Sequence, residues 1–261
     1  MQEDTVMQRL EGLMRKAIQD YEMIAPGDRI LVGVSGGKDS VALAIGLARL
    51  RRYLGIPFTL QAVSLDAQFG GVTTDYSPLE ELFRRYDVPY QVRRSQIGRI
   101  VFDERKEANP CALCAKMRRG MLHNAALELG CNKVALGHHL DDAVETFYMN
   151  LWGEGRIGCF SPVTYLSRKE LTMIRPMLLA TEAEVQKAVR SLELPVVKSI
   201  CPVDGSTRRQ QMKDFVHTMA RRDPAFRQKM LGALQQSGID GWGPLHTGRT
   251  GTAHTETSRG V

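Results

Sequence analysis

The fold of the chain is decided by residues 31–40, which read Leu-Val-Gly-Val-Ser-Gly-Gly-Lys-Asp-Ser. The stretch begins as an apolar run that predicts a buried strand, and a helical pattern starts directly after the two glycines. Gly36 and Gly37 can adopt the positive φ angles of a tight turn and let an anion approach the backbone. A strand, a glycine turn and a helix in this order direct backbone N–H groups at one point. The stretch therefore predicts a binding site for a phosphate or pyrophosphate group.

The side chains of the same stretch support this interpretation. Lys38 adds a full positive charge, and the hydroxyls of Ser35 and Ser40 add hydrogen-bond donors. An ordinary turn capped by Asp39 or Ser40 would account for the glycines but not for the lysine. The phosphate loop of kinases and GTPases has a different spacing, with four residues between its glycines. The stretch instead resembles the Ser-Gly-Gly-x-Asp-Ser motif of the PP-loop ATP pyrophosphatase superfamily, whose members split ATP between the α and β phosphates.

The composition narrows the class of protein. The chain has 261 residues with 43% hydrophobic residues, and its mean hydropathy of −0.24 is typical of a soluble globular protein with a sizeable core. We expect no membrane segment and no signal peptide, because no apolar run has the required length. Five cysteines without a secretory signal predict a cytoplasmic protein that uses its thiols for chemistry rather than for disulfides.

The charge favours a polyanionic partner. The net charge is +6 and the pI is near 9.1. One arginine pair alone is typical of a solvated surface, but the repetition favours a nucleic-acid surface. The pairs are Arg51-Arg52, Arg84-Arg85, Arg93-Arg94, Arg118-Arg119, Arg208-Arg209 and Arg221-Arg222.

Predicted strands and helices alternate along the chain, which indicates an α/β fold. We expect a Rossmann-like PP-loop domain with a central parallel five-stranded sheet flanked by helices, plus short N- and C-terminal helical extensions. The predicted divisions are an N-terminal helix at 1–27, the PP-loop domain with a Cys-x-x-Cys insertion at 28–200, a C-terminal helical segment at 201–236, and a disordered tail at 237–261, which has almost nothing to bury.

Three motifs fall at the carboxyl ends of predicted strands, where ligands bind in such sheets. They are the glycine loop, Ser64-Leu65-Asp66, and the stretch from Gly137 to Asp142. The residues predicted to bind ATP are Ser35, Gly36, Gly37, Lys38, Asp39, Ser40, Ser64, Asp66, Gly137 and His138.

Two adjacent carboxylates, Asp141 and Asp142, open a predicted helix. One of them would suffice to cap the helix and to interact with its dipole. Two of them facing an expected triphosphate favour Mg²⁺ coordination or a catalytic carboxylate. We therefore predict Lys38, Asp141 and Asp142 as catalytic residues. Of the two preceding histidines, His138 and His139, we expect one to pack and the other to contact the nucleotide.

The cysteines predict a metal or cluster site. Cys111 and Cys114 lie one turn apart at the start of a predicted helix. A helix start lowers the pKa of a thiol and so favours the thiolate that binds metals. Cys201, which stands before a proline, is the predicted third ligand. We expect Cys131 to lie in the core and Cys159 to be structural. Three thiolates suit an iron–sulfur cluster with one open iron, and zinc with a histidine as fourth ligand is an equal alternative at this point.

The motifs together resemble one family. Ser-Gly-Gly-Lys-Asp-Ser, Cys-Ala-Leu-Cys-Ala-Lys-Met-Arg-Arg-Gly, Gly-His-His-Leu-Asp-Asp and the later Cys201-Pro202 are similar to the tRNA 2-thiocytidine biosynthesis family, over roughly residues 21–235. The related 2-thiouridine enzymes usually carry extra zinc-finger cysteines at both ends of the chain. No cysteine precedes Cys111 or follows Cys201, which favours the cytidine branch and leaves a tRNA 2-thiouridine synthase open as an alternative.

The resemblance implies a function. ATP would activate the C2 oxygen of a tRNA base, cytidine at position 32, as an adenylate, and sulfur would then displace AMP. It also implies a 4Fe–4S cluster held by Cys111, Cys114 and Cys201, a sulfur donor that is sulfide or a cysteine desulfurase product, Mg²⁺ with the ATP, and a homodimer. We expect tRNA contacts at two arginine pairs, Arg118-Arg119 and Arg208-Arg209.

Two other functions stay open from the sequence. An ATP pyrophosphatase that amidates a small acid would carry zinc at the cysteines, although no glutaminase-like segment is found here. A non-catalytic nucleotide-binding or electron-transfer module would not need Lys38, Asp141 and Asp142 together.

Overall fold

A computed structural model describes residues 2–105, 110–198, 200–201 and 208–244, with the side chains of 5–105, 110–198, 200–201 and 210–244. The strands form one mixed sheet in the order β3-β2-β1-β4-β6-β5. The strands are β1 (Asp28–Gly33), β2 (Phe58–Asp66), β3 (Tyr90–Arg94), β4 (Lys133–Ala135), β5 (Val163–Leu166) and β6 (Leu171–Ile174).

The sheet has one strand more than predicted. Strands β3, β2, β1, β4 and β6 pair in parallel, as expected, and β5 adds an antiparallel sixth strand at the edge. The extra strand arises because residues 163–174 form a hairpin, in which Val163 pairs with Ile174 and Leu166 with Leu171. Strand β1 lies between β2 and β4, so the connections from it run in opposite directions and leave a crevice above its carboxyl end.

The helices cover both faces of the sheet. In chain order they are α1 (Gln2–Asp20), α2 (Lys38–Leu50), α3 (Ser77–Arg85), α4 (Ile97–Arg99), α5 (Pro110–Glu128), α6 (Leu140–Tyr148), α7 (Glu182–Ser191), α8 (Arg208–Arg222) and α9 (Phe226–Ser237). No helix in the described ranges is both long enough and apolar enough to cross a membrane.

Alternate residues of the central strands separate the two faces. Ile30 and Val32 of β1 point into the main core, which also contains the apolar faces of α1, α2, α6 and α7. Leu31 between them points into a smaller core beneath α5. This period of two is what a strand buried on both faces requires. Since α1, α8 and α9 pack into the main core as well, the division at residues 27, 200 and 236 stays a prediction.

The prediction of a disordered tail at residues 237–261 is wrong over the first of these residues. Trp242 is fully buried, its Nε1 donates a hydrogen bond to the Phe160 carbonyl (2.8 Å), and its own carbonyl accepts one from the Tyr21 hydroxyl (2.9 Å). One tryptophan supplies enough apolar area to anchor a polar segment. Residues 245–261 of the predicted tail lie outside the described residues.

Candidate active site

The glycine turn has the predicted strand–turn–helix form. Strand β1 ends at Gly33, and α2 begins at Lys38. Gly36 has a φ of +89°, and its carbonyl accepts a hydrogen bond from Val197 N at 3.0 Å. A Cβ at Gly36 would lie 2.9 Å from Val197 Cβ. Both the backbone conformation and the close approach of the segment that follows α7 therefore require glycine here.

The two serines of the turn hold its shape. Ser40 Oγ accepts a hydrogen bond from Ser35 N (3.1 Å) and donates one to the Gly37 carbonyl (2.9 Å). Ser35 Oγ lies 3.1 Å from Ser40 Oγ and accepts a bond from Gly37 N at 3.3 Å. The hydroxyls fix the loop before any anion arrives, which is the preorganisation that an anion site requires.

Lys38 lies between two carboxylates. Its Nζ is 3.0 Å from Asp39 Oδ2 and 2.9 Å from Glu182 Oε1. Burial lowers the pKa of Lys38, but Asp39 and the hydrogen bond to Glu182 outweigh burial, so the pKa is raised overall. The ammonium group therefore stays charged at neutral pH, beside the loop that would receive the phosphates.

Glu182, the first residue of α7, links this lysine to α8. Its Oε1 also accepts from Lys213 Nζ at 2.7 Å, and its Oε2 lies 3.6 Å from His217 Nε2. Burial raises the pKa of Glu182, but the hydrogen bonds from Lys213 and Lys38 outweigh it and lower the pKa to about 2. Sequence reasoning missed Glu182, because its partners come from α2 and α8 and no local pattern marks it.

Asp141 is fully buried, and its carboxylate joins three helices. Its Oδ2 accepts a hydrogen bond from Glu182 N (2.8 Å) at the start of α7, and its Oδ1 pairs with Arg227 Nε of α9. Both oxygens are thus used within the protein. The geometry supports a structural role for Asp141, in placing Glu182, and argues against the predicted catalytic role.

We expect Asp141→Asn to lower the free energy of unfolding by about 3 kcal/mol, because it leaves the Arg227 guanidinium without its buried counter-charge. Chemical denaturation measures this difference. The control is Asp223→Asn, which weakens an exposed ion pair with Lys229 and should leave the free energy of unfolding nearly unchanged, because solvent screens that pair. Unchanged stability together with lost catalytic activity would instead identify Asp141 as a catalytic carboxylate.

Asp142 belongs to a capping box at the start of α6. Its Oδ2 accepts from His139 N (2.9 Å), and its own N–H donates to His139 Nδ1 (3.4 Å). The opposite ring nitrogen, Nε2 of His139, lies 3.7 Å from Asp39 Oδ1. That oxygen is buried and has no hydrogen-bond partner among the described residues. A buried carboxylate oxygen without a partner fits a site that is completed by a cation or by a hydrogen-bond donor.

Gly137 allows residues 137–142, which follow β4, to approach the glycine turn at residues 35–40, called the phosphate loop from here on. A Cβ at Gly137 would lie 3.1 Å from both Asp39 O and Ser40 N. A side chain here would press on backbone atoms of α2, so glycine is favoured where the residues after β4 cross the first turn of α2. This packing brings His138, His139 and Asp142 beside the loop, as their position at a strand's carboxyl end predicts.

The motif at the end of β2 supports the walls of the site. Ser64 is fully buried, donates to the Val34 carbonyl (2.8 Å) and accepts from the Tyr90 hydroxyl (2.7 Å). It therefore supports the phosphate loop from beneath, which corrects the expectation of nucleotide contact. Asp66 accepts from Gln68 N (3.0 Å) and Thr74 N (3.2 Å) and so shapes the loop that follows β2.

Two cavities meet at the phosphate loop. The larger has a volume of about 630 Å³ and lies between the carboxyl ends of the strands and α5. The smaller, of about 150 Å³, lies between the loop, Asp66 and the segment that ends at Ile200. Ser35, Leu65 and Arg118 line both. A nucleotide in one cavity and a second reactant in the other could therefore meet at these residues.

The cysteines divide as predicted into two groups. Cys131 and Cys159 are buried, Cys159 donates to the Ala143 carbonyl (3.4 Å), and burial raises its pKa to about 12. Cys111 is exposed at the first turn of α5, and Cys114 and Cys201 are partly exposed.

Two of the accessible thiols, Cys111 and Cys201, lie within electrostatic reach of the third, Cys114, whose pKa is raised overall. Burial raises the pKa of Cys114, Arg118 lowers it, and Cys201 and Cys111 raise it again. Thiolates are the donors that an iron–sulfur cluster requires, so the chemistry of the three residues suits one. Within the described ranges, however, no group of three or more His, Cys, Asp or Glu side chains is placed to hold a metal ion, so the structure does not bring these three thiols together as a ligand set.

The predicted tRNA residues fall in two places. Arg118 and Arg119, on α5, line the larger cavity. Arg208 and Arg209 open α8, and their side chains lie outside the described residues.

Comparison with known proteins identifies the class. Residues 4–216 match the family model of the PP-loop domain. The tRNA-cytidine(32) 2-sulfurtransferase of Syntrophotalea carbinolica is 39% identical over 235 residues, which cover 89% of this chain and 90% of that protein. The protein of the same name from Pelobacter propionicus is 37% identical over 237 residues, covering 90% and 87%. The chain therefore belongs to the PP-loop family and, within it, to the family of the tRNA-cytidine(32) 2-sulfurtransferases.

A solved structure agrees with the fold. The U34-tRNA thiolase NcsA from Methanococcus maripaludis, solved with its [4Fe-4S] cluster, has a TM-score of 0.75 to this structure. The match covers 90% of this chain and 79% of that chain at 23% sequence identity. The family resemblance found in the motifs is thus confirmed by sequence, and the predicted PP-loop architecture by structure.

Proposed function

We propose that the protein is an ATP-dependent tRNA sulfurtransferase that replaces the C2 oxygen of cytidine 32 with sulfur. The observation that carries the proposal is the meeting of two cavities at Ser35, Leu65 and Arg118. The phosphate loop lies on one side of this point, and α5, which carries Cys111 and Cys114 near its start, lies on the other. Family membership supplies the substrate class.

The first step activates the base. The C2 oxygen attacks the α-phosphate of ATP, and the bond between the α and β phosphates breaks to release pyrophosphate. The loop amides at 36–38 and Lys38 would stabilise the charge on the departing pyrophosphate. Asp39, with its buried oxygen free of hydrogen bonds within the described part, would hold the Mg²⁺ that accompanies ATP.

The second step replaces oxygen with sulfur. Sulfide adds to C2 of the adenylated base, and the C2–O bond breaks to release AMP. Cys111, Cys114 and Cys201 would hold a 4Fe–4S cluster, which supplies an iron open to an external sulfide. Arg118, between the two cavities, would neutralise the phosphate of the departing AMP. Sulfide adds as hydrosulfide, so its one proton must leave the sulfur as the C2–S double bond forms. Both oxygens of Asp141 are used by Arg227 and Glu182, and we therefore assign acceptance of this proton to Asp142.

The proposal extends to the partners. The target cytidine lies in a loop of tRNA, where an unpaired base costs less to expose than a paired one. We further propose sulfide, free or derived from a cysteine desulfurase, as the sulfur donor, a homodimer as the assembly, and the cytoplasm as the location.

Nucleotide turnover tests the proposed function. Anaerobically prepared protein with Mg²⁺-ATP, sulfide and tRNA should release AMP and pyrophosphate in equal amounts, and only when tRNA is present. Release of ADP and phosphate, or release of AMP that depends on ammonia and a small carboxylic acid, would contradict the sulfurtransferase assignment. The second result would support the amide-ligase alternative.

We expect the reversal of both charges at Arg118 and Arg119 to Glu to weaken binding of many tRNA species alike. The loss of two phosphate contacts should make the fall of log affinity with log salt concentration less steep, by about 2 units of slope. Fluorescence anisotropy between low and high salt measures the slope. The control reverses Arg84 and Arg85 on α3, which line neither of the two cavities. An equal slope change in both variants would show a general charge effect instead of a tRNA site.

A further inference from the structure

A short loop beyond α6 displays large apolar side chains to solvent. The π-helical turn Met149–Gly153 continues α6, and the loop then runs to Gly158. Trp152 is 71% exposed and Ile157 is 69% exposed, whereas Trp242, the other tryptophan of the chain, is fully buried. Large apolar side chains that are exposed on one segment are typical of an interaction surface.

The loop is held in one shape by Asn150. This buried side chain donates from Nδ2 to the Gly158 carbonyl (2.8 Å), and the Asn150 carbonyl accepts from Glu154 N (3.1 Å) and Arg156 N (3.0 Å). Trp152 lies within the span that these bonds close. The exposed side chains therefore stand on a preformed loop, and a ligand that binds them loses little affinity to ordering it.

Trp152 is oriented by a row of aromatic rings. Its ring meets Phe215 of α8 edge to face, with the centroids 5.9 Å apart, and Phe215 meets Tyr148 of α6 at 5.0 Å. Tyr148 stacks in turn on the buried Phe226 of α9 at 6.2 Å. The indole is thus fixed from the core while most of its surface stays open, which is what a platform for a stacked base requires.

The helix that supports Trp152 is basic. Arg222 follows Phe215 by two helical turns, so both lie on the same face of α8, and both Arg221 and Arg222 are exposed. An open aromatic ring beside exposed guanidinium groups matches the bases and phosphates of an unpaired nucleic-acid strand. A second copy docked through the same face would instead bring like charges together. Against one acid, Asp214, α8 carries Arg208, Arg209, Lys213, Arg221 and Arg222.

We propose that Trp152 stacks on an unpaired base of the tRNA loop, while Arg222 neutralises a neighbouring phosphate. This role rests on tRNA as the substrate of the proposed function and adds a surface that holds its loop. Helix α8 joins the surface to the phosphate loop, because Lys213 bonds Glu182 (2.7 Å), which also pairs with Lys38 (2.9 Å). Every base has a face that can stack on an aromatic ring, so Trp152 holds the loop without selecting its sequence.

Intrinsic fluorescence tests the stacking contact, because Trp152 and Trp242 are the two tryptophans of the chain. Titration of the full-length protein with an RNA hairpin that contains the loop with position 32 should quench the exposed indole of Trp152. The variant Trp152→Phe keeps only the buried Trp242, and its emission should stay unchanged. A blunt RNA duplex of equal length offers phosphates but no unpaired base, so it should leave the wild-type emission unchanged as well.

The salt dependence of tRNA binding separates stacking from charge. We expect Trp152→Ala to weaken tRNA binding about tenfold at every salt concentration, since stacking releases no counterions. Arg222→Ala should instead make the fall of log affinity with log salt concentration less steep, by about 1 unit of slope. The matched control is Tyr165→Ala, which removes an aromatic ring of similar exposure (63%) from β5 and should bind tRNA as the wild type does.

The remaining outcomes would overturn the stacking role. Equal quenching by the duplex and the hairpin, or wild-type tRNA affinity in Trp152→Ala, would do so while tRNA thiolation stands. Self-association that Trp152→Ala abolishes, with unchanged tRNA affinity, would overturn it too and would assign the surface to a second copy. Wild-type protein that binds no tRNA at all would refute the proposed function together with the stacking role.

Discussion

Replacement of Cys111, Cys114 or Cys201 with Ala should remove the iron–sulfur cluster and tRNA thiolation together, because two thiolates hold a four-iron cluster poorly. All three side chains are at least partly exposed, so their truncation should cost little stability. Anaerobically purified wild-type protein should be brown and contain about four irons and equivalent sulfide per chain. Each variant should be colourless and folded, and we expect thiolation below one hundredth of the wild-type rate.

The matched controls are Cys131→Ala and Cys159→Ala. Both residues are buried, so each change should cost about 1 kcal/mol of stability through a small cavity. Iron content and thiolation should be retained, because these thiols lie in the core. A wild-type protein that resists iron–sulfur reconstitution under strict anaerobiosis and holds stoichiometric zinc would contradict the cluster assignment.

Lys38→Ala should lower tRNA-dependent pyrophosphate release by about two to three orders of magnitude, since one preorganised group on a developing charge contributes that much. The lysine side chain is 26% exposed, and its removal leaves Glu182 paired with Lys213. The fold should therefore persist, which circular dichroism and thermal unfolding can check.

The control for this variant is Lys229→Ala. It removes an exposed lysine that pairs with Asp223 on the surface, and we expect activity within about twofold of the wild type. Release of pyrophosphate by Lys38→Ala at the wild-type rate would contradict the proposal that Lys38 stabilises the departing pyrophosphate.

The elements that depend on local sequence could be predicted. The turn at 35–40 combines glycine conformation, charge and hydroxyls within six residues, so the strand, the turn and the helix follow from neighbouring side chains alone. The same holds for the strands of the central sheet, whose apolar runs are local. Cys111 and Cys114 share one helical turn, and this spacing places them together before any tertiary contact forms.

The features that depend on distant contacts could not be predicted. Asp141 and Asp142 look equivalent in sequence, and only the approach of α7 and α9 binds Asp141 to Glu182 and Arg227. Ser64 stands at a strand end in the sequence, and only the tertiary structure shows that Val34 and Tyr90 occupy its hydroxyl. Trp242 is anchored by Tyr21 and Phe160, which are far away in the chain.

Nucleoside mass spectrometry of tRNA tests the central claim most directly. Unmodified tRNA is incubated anaerobically with reconstituted protein, Mg²⁺-ATP and sulfide, then digested to nucleosides and, separately, to oligonucleotides. We predict 2-thiocytidine, confined to the oligonucleotide that contains position 32 and absent when ATP is omitted. The appearance of 2-thiouridine in its place, or of no thiolated nucleoside with cluster-loaded protein, would contradict the account.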